Sequence, residues 1–289
     1  MTAHVLVGAD GSAPARAAVR WAADEAVRRG WALRIVHVCE PWTYDLPLQT
    51  PPGFHDSMAA YCRGMLDGAV DLAHEQAPQL EVNSVLEPGK TVEVLRREAA
   101  DAGEVVVGSR GRGGFTGLLL GSVSLSLAGR VSVPVVVVKG EPRERPFGEI
   151  VVGFDGSAHS VAALEYAFED AARRGARLHV VHTWQMPVVG PGATAYTPLL
   201  EEIAASERHV TQEALAPWRD KYPQVEVIET AVCGHPVAVI RDASRNADLV
   251  VVGSRGLGRA GSALLGSVSH GVLHHSHCPV AVVRAPGEA

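Results

Sequence analysis

The chain has few cysteines, no basic excess and no long apolar run, and each shortage removes a class of protein. Its four cysteines, Cys39, Cys62, Cys233 and Cys278, are scattered and form no Cys-x-x-Cys pair. That argues against a disulfide scaffold and a cysteine zinc site, and fits a reducing cytoplasm. A formal net charge of −6 over 289 residues argues against a nucleic-acid partner, because neutralising phosphates takes a basic surface. No apolar run approaches the ~18 residues of a membrane helix, and Met-Thr-Ala-His-Val-Leu-Val at the start lacks the charged leader of a signal peptide. Two familiar phosphate motifs are also missing. Glu87-Pro-Gly-Lys-Thr91 contains a Gly-Lys-Thr, but Ser84 stands where a P-loop needs its first glycine. The dinucleotide fingerprint belongs after the first strand, where this chain has Asp10-Gly-Ser12.

What is present is one unit written twice. Asp10-Gly-Ser12 recurs as Asp155-Gly-Ser157, Arg28-Arg-Gly30 as Arg173-Arg-Gly175, and His37 as His182. Gly89, Gly108 and Pro134 recur as Gly234, Gly253 and Pro279, and every pair is 145 residues apart. A constant offset leaves no net insertion between landmarks, so both halves take one architecture. Domains over 1–139 and 149–286 follow, joined by a polar Pro/Gly-rich linker at 140–148.

Within the first repeat, His4–Ala9, Leu33–Val38, Glu81–Leu86, Glu104–Val107 and Val135–Val138 read as strands. Helices are expected after Ser12, from about Phe54 to Ala77, over Val92–Ala100 and over Ser122–Gly129. Ser12 caps the first of these and Gly30 stops it, with Ala15, Ala18, Val19, Ala22 and Ala26 on one face. Apolar, β-branched strands alternating with helices predict a parallel sheet covered on both faces. The expected fold is therefore α/β: two tandem Rossmann-like, doubly wound domains, each a five-stranded parallel sheet of order 3-2-1-4-5. Ligands of such sheets sit beyond the strand carboxyl ends at the switch point, here between strands one and four.

Strand four runs into Gly108-Ser-Arg-Gly-Arg-Gly-Gly-Phe-Thr-Gly-Leu-Leu-Leu-Gly-Ser122, and its counterpart into Gly253-Ser-Arg-Gly-Leu-Gly-Arg-Ala-Gly-Ser-Ala-Leu-Leu-Gly-Ser267. Backbone amides at a helix N-terminus hold phosphate oxygens, aided by the helix dipole. Glycine permits close backbone approach and positive φ. A single copy reads equally as a slack loop; two copies that keep their glycines while the residues between them diverge read as an anion cradle.

The spacing Gly-x2-Gly-x9-Gly-Ser, the leading Val-Gly-x-Asp-Gly-Ser and the trailing Pro-Val-x-Val-Val resemble the universal stress protein family, and among them the tandem ATP-binding members of actinobacteria. The resemblance implies that Asp10 and Asp155 contact adenosine, with Val38 and Thr183 beside the base. It implies that Gly108, Gly111, Gly121, Ser122, Val123 and Ser124 hold ribose and phosphates, as do Gly253, Gly256, Gly266, Ser267, Val268 and Ser269. Gly8, Ser12, Ser109, Arg110, Arg112 and Gly113 complete the first expected set; Gly153, Ser157, Ser254, Arg255, Gly258 and Arg259 complete the second. Mg²⁺ or Mn²⁺ is expected through the phosphates. No repeated acid/base pair accompanies the cradle, so binding is expected and fast turnover is not, the alternative being a slow ATPase or nucleotidyl transferase. The resemblance also implies last strands that pair around an intrachain pseudo-two-fold, with a homodimer and a regulatory protein partner as further possibilities.

Three features stand apart. Cys39–Gly53 and Trp184–Pro198 are long connections that either cover the adenine, with Trp42 or Trp184, or pack on the neighbouring repeat. His270, His274, His275 and His277 occur only in the second repeat. His270 and His274 have a zinc-compatible spacing without an acidic partner, which favours a surface or packing role.

Overall fold

The computed structural model describes residues 3–40, 54–112, 120–140, 145–185, 197–257 and 265–287. Two compact units divide the chain, Met1–Glu144 and Arg145–Glu288. In the first, strands β1 (His4–Gly8), β2 (Ala32–Cys39), β3 (Val82–Pro88), β4 (Glu104–Gly108) and β5 (Val135–Val138) alternate with helices α1 (Ala13–Arg29), α2 (Phe54–Gln76), α3 (Thr91–Glu98) and α4 (Ser122–Arg130). The second unit repeats this with β6 (Glu149–Phe154), β7 (Arg177–Trp184), β8 (Val227–Cys233), β9 (Leu249–Gly253) and β10 (Val280–Val283). Its helices are α5 (Ala158–Arg174), α6 (Thr197–Lys221), α7 (Pro236–Ala243) and α8 (Ser267–His275).

All pairings within a unit are parallel. β2 lies between β3 and β1, and β4 between β1 and β5, giving the order 3-2-1-4-5. The second unit pairs β8, β7, β6, β9 and β10 in the same succession. Chain direction across the sheet reverses after the third strand, so right-handed crossovers put the first and last pairs of helices on opposite faces. Accordingly α1 packs with α2, and α3 with α4.

β4 is buried at every position, as a central parallel strand covered on both faces must be, and so is β5. Ala15, Ala18, Val19, Ala22 and Ala26 of α1 are all buried. Their short side chains let the helix lie close to the sheet, where Leu6, Leu33 and Ile35 are fully enclosed. Burial of each such aliphatic side chain contributes about 1.5–3 kcal/mol. Ser12 caps α1 by accepting from the Ala15 amide at 3.2 Å, and Gly30 closes it at φ 66°. The Arg-Arg pair before that glycine has a structural role. Arg28 and Arg29 both bond the fully buried Glu25, and Arg174 bonds the equivalent Asp170.

Two details depart from the sequence reading. Residues Ala99–Asp101 continue α3 as a 3₁₀ turn, and β3 extends to Pro88, paired with Cys39. A larger correction concerns the cysteines. Cys39 and Cys62 are joined in a disulfide, with Cα atoms 6.7 Å apart. Spacing along the chain did not suggest it, because the pair meets only through the packing of α2 beside β2. Cys233, exposed, and Cys278, buried, take part in no disulfide among the described residues. Among the described residues no helix is long and apolar enough to cross a membrane.

Candidate functional site

The first and fourth strands of each unit end side by side, bringing the Asp-Gly-Ser turn against the glycine stretch. Asp10 uses both carboxylate oxygens here. Oδ1 accepts from the Ser12 amide at 2.9 Å, and Oδ2 accepts from the Arg112 amide at 2.8 Å. Asp155 does the same toward Ser157 at 3.0 Å and Leu257 at 3.3 Å. The aspartate is thus a clamp that holds the loop after the fourth strand to the turn after the first. Gly11 and Gly156 make that turn at φ 76° and 80°, a region that L side chains avoid.

The glycines now have separate reasons. A Cβ on Gly108 would lie 2.6 Å from the Pro14 carbonyl carbon, and one on Gly253 would lie 2.7 Å from that of His159. These two let the fourth strand pass under the first turn of the neighbouring helix. A Cβ on Gly111 would lie 2.6 Å from Asp10 Oδ2, and Gly256 is similarly placed against Asp155. Neither pair has positive φ among the described glycines, so close approach alone explains them. Gly111 and Gly256, expected at the phosphates, each also face the protein's own carboxylate.

Gly121 and Gly266 precede α4 and α8, and neither helix has a side-chain cap. Their own amides return to the Ser109 and Ser254 carbonyls at 2.7 and 2.8 Å. Ser124 and Ser269 do not face outward: their hydroxyls donate to the Gly108 and Gly253 carbonyls, both at 2.7 Å, inside the protein. The first-turn amides of a helix have no acceptor within it. At Ser122–Ser124 and Ser267–Ser269 this leaves a tight array of donors with the positive helix end behind them.

In the second unit that array opens onto a cleft of about 960 Å³. Gly153, Asp155, Thr183, Gly253, Arg255, Gly256, Gly266, Ser267, Val268 and Ser269 line it together. Ser157 and Ser254 stand behind the rim, as helix cap and buried loop residue. In the first unit Gly8, Ser12, Val38, Ser109 and Arg110 occupy the matching places, and the Ser12 hydroxyl reaches the Arg110 carbonyl at 3.4 Å. Gly113, Gly258, Arg259 and Trp42 lie outside the described residues. So do most of the two long connections, 41–53 and 186–196.

The sequence reading missed several wall residues. Phe154, Gln185, Ile240, Leu265 and His270 also line the second cleft. The Gly-His-Pro that starts α7 marked its place, since Pro236 is in the lining. The histidine cluster does not gather round one point: His270 and His274 have ring centroids 4.6 Å apart, while His277 donates its amide to Ser244. Also missed was Met65 of α2, whose sulfur lies against Gly11, and with it the contacts of Arg112. That guanidinium is 5.4 Å from the Tyr61 ring centroid and 3.6 Å from the Met65 sulfur.

Two doubly wound α/β units, each with a helix-terminal amide array facing a clamped Asp-Gly-Ser turn, define a Rossmann-like class of protein, with a cleft at the array of the second unit. The chain belongs to the universal stress protein family, whose family model matches residues 1–139 and 146–284. A universal stress protein of Mycobacterium tuberculosis is 36% identical over 291 residues, covering 97% of this chain and 96% of the relative. A second from the same organism is 33% identical over 301 residues, covering 98% and 95%. Among solved structures, a universal stress protein of Archaeoglobus fulgidus is similar in fold at a TM-score of 0.70 and 22% identity, covering 99% of this chain and 97% of that one.

Proposed function

We propose that the chain binds ATP, one molecule in each unit, and that occupancy regulates a stress or growth response through conformation or a partner protein. The observation that carries this reading is the uncapped first turn of α8, whose residues Ser267–Ser269 line a cleft shared with Asp155 and Thr183. Backbone amides and a helix dipole suit a polyphosphate. A cleft of about 960 Å³ is at the upper end of the ~300–1,000 Å³ typical of small-molecule sites. Thr183 and Val38, at the ends of β7 and β2, are the residues for the base side.

A divalent cation fits this reading only through the nucleotide. Asp10 and Asp155 already accept two backbone amides each. Mg²⁺ or Mn²⁺ would therefore be held by the phosphates, where it neutralises their charge. The proposed role is binding without rapid turnover, in the cytoplasm where ATP is abundant. A slow ATPase has one foothold, His270 on the wall of the second cleft; Leu125 stands at that position in the first repeat.

Mass spectrometry of nucleotide released on denaturing the protein, purified under reductant, tests the reading. Close to two ATP per chain is expected. No released nucleotide together with no binding of added ATP contradicts it, and sustained ADP production at several per second would support the enzyme instead.

A further inference from the structure

His37, Cys39 and Cys62 form the one group of three potential ligand side chains found among the described residues, with their donor atoms within 4.8 Å of one another. All three are buried, at 8%, 8% and 6% exposure. His37 ends its side chain on the Ala9 carbonyl, with Nδ1 2.6 Å from that oxygen. A carbonyl only accepts, so Nδ1 carries the proton, and in the neutral ring Nε2 is left as an acceptor. The second repeat shows where that nitrogen is aimed. His182 makes the same Nδ1 contact to the Phe154 carbonyl at 2.9 Å, and its Nε2 meets Glu207 of α6 at 3.0 Å. Counting back 145 residues, position 207 becomes Cys62 and position 184, a tryptophan, becomes Cys39. The first repeat has therefore exchanged a carboxylate and an indole for two thiols beside a proton-accepting imidazole.

The same helix reaches the proposed nucleotide site of the first unit. Met65 is three residues beyond Cys62, on the same face of α2. Its sulfur rests against Gly11, and with Tyr61 it holds Arg112. Cys39 follows Val38 at the end of β2. A covalent bond from Cys39 to Cys62 thus pins α2 to the strand beside the proposed base site, in the position where its side chains cover the Asp10-Gly11 turn.

We propose that Cys39 and Cys62 are a reversible oxidation site, and that the disulfide between them closes the first nucleotide cleft while the dithiol opens it. This deepens the ATP reading and rests on it for its second half. The oxidant is a small peroxide, because side chains this buried exclude bulky disulfides. The Cys62 thiol gives its proton to His37 Nε2, and the thiolate attacks a peroxide oxygen. The O–O bond breaks, sulfur is oxidised to sulfenic acid, and with hydrogen peroxide the leaving hydroxide takes the proton from His37 to depart as water. The Cys39 sulfur then attacks the Cys62 sulfur: the S–S bond forms, the S–O bond breaks, and the Cys39 proton leaves in a second water. Two electrons pass from two thiols to one peroxide, and a dithiol reductant reverses the exchange. Reversible, sensing disulfides are the kind that occur in a reducing compartment. A three-donor metal centre is less favoured, because Glu40, the nearest carboxylate in sequence, is turned to Thr91 at 2.6 Å.

The test uses the full chain carrying Cys233→Ser, which removes the exposed free thiol. Reduced protein is treated with stoichiometric hydrogen peroxide, alkylated and mapped by peptide mass spectrometry; ATP stoichiometry and hydrogen exchange of residues 57–66 are then measured in both states. A Cys39–Cys62 cross-link is expected, with slower exchange along α2. ATP stoichiometry should be one per oxidised chain and two per reduced chain, the first site weakening at least tenfold. Cys62→Ser should bind two in either condition. Failure to cross-link, or stoichiometric zinc retained by the reduced chain and blocking the cross-link, overturns the oxidation site. Equal ATP stoichiometry in both states overturns the coupling. Absence of ATP binding in both states, with the cross-link and exchange change intact, overturns the ATP reading and the coupling together but leaves the oxidation site standing.

Discussion

The two repeats share a scaffold and differ at its rim. Asp10 and Asp155 clamp the same two amides, Ser124 and Ser269 reach the same carbonyl at the same 2.7 Å, and Gly108 and Gly253 pass beneath the same helix turn. At the mouth, the first unit sets Met65 on Gly11 and Tyr61 on Arg112. In the second, no side chain among the described residues lies within 4 Å of where a Cβ on Gly156 would be, and Leu257, the counterpart of Arg112, is 73% exposed. Backbone geometry at the glycine stretch is the same in both units, whereas the side chains at its rim differ. One scaffold therefore carries two differently covered rims.

The largest expected effect breaks the shared part. Gly253→Val forces a Cβ into the α5 backbone at His159, and Gly108→Val does so at Pro14. Overpacking against backbone should cost about 3 kcal/mol or more. Urea unfolding should show each variant destabilising its own unit; unchanged midpoints would mean that the strand and helix are not in close contact. Next comes the clamp. Asp155→Ala removes acceptors from the Ser157 and Leu257 amides, at about 1.5–3 kcal/mol for bonds to a charged group. Calorimetry should find ATP affinity lost in the second cleft and kept in the first. Equal loss in both would contradict two independent sites.

Met65→Ala sharpens the comparison in the other direction. Uncovering Gly11 should raise first-site affinity about five- to tenfold, the equivalent of roughly 1–1.4 kcal/mol, and bring it toward the second. No gain, or a loss, would show that Met65 supports the site rather than obstructing it. The smallest effect is a pH dependence belonging to the first unit. Burial, then the Arg34 charge, holds His4 below its ordinary pKa, and its Nε2 has no hydrogen-bond partner among the described residues. The unfolded chain therefore takes up that proton more readily. Stability linked to His4 is intact above about pH 6.5 and declines as the pH falls below it toward the lower folded pKa. His4→Leu should flatten that part of the unfolding profile, and an unaltered slope would remove His4 as its source.

Much of the fold was legible because it is written in local pattern. Apolar β-branched runs bounded by glycine gave the strands to within two residues, and Ser12 and Gly30 fixed the first helix. The 145-residue offset then identified the glycine stretch as a built feature. Less legible was what each glycine answers to. Gly108 meets Pro14 and Gly111 meets Asp10 only after the chain has wound through three more strands, and sequence spacing carries no such contact. The disulfide lay hidden for the same reason, since 23 residues separate its cysteines. The offset did hold a clue to it: His182 faces Glu207, so position 62 had to face His37.

The central claim is that backbone amides at the starts of α4 and α8 hold the phosphates of a nucleotide. Amide NMR of the reduced chain, titrated in parallel with ATP and with adenosine, tests it at the residues concerned. The amides of Ser122, Val123, Ser267 and Val268 should shift strongly with ATP and hardly at all with adenosine, while those near Val38 and Thr183 respond to both. Equal responses to the two ligands at the helix starts, or none to either, would contradict the claim.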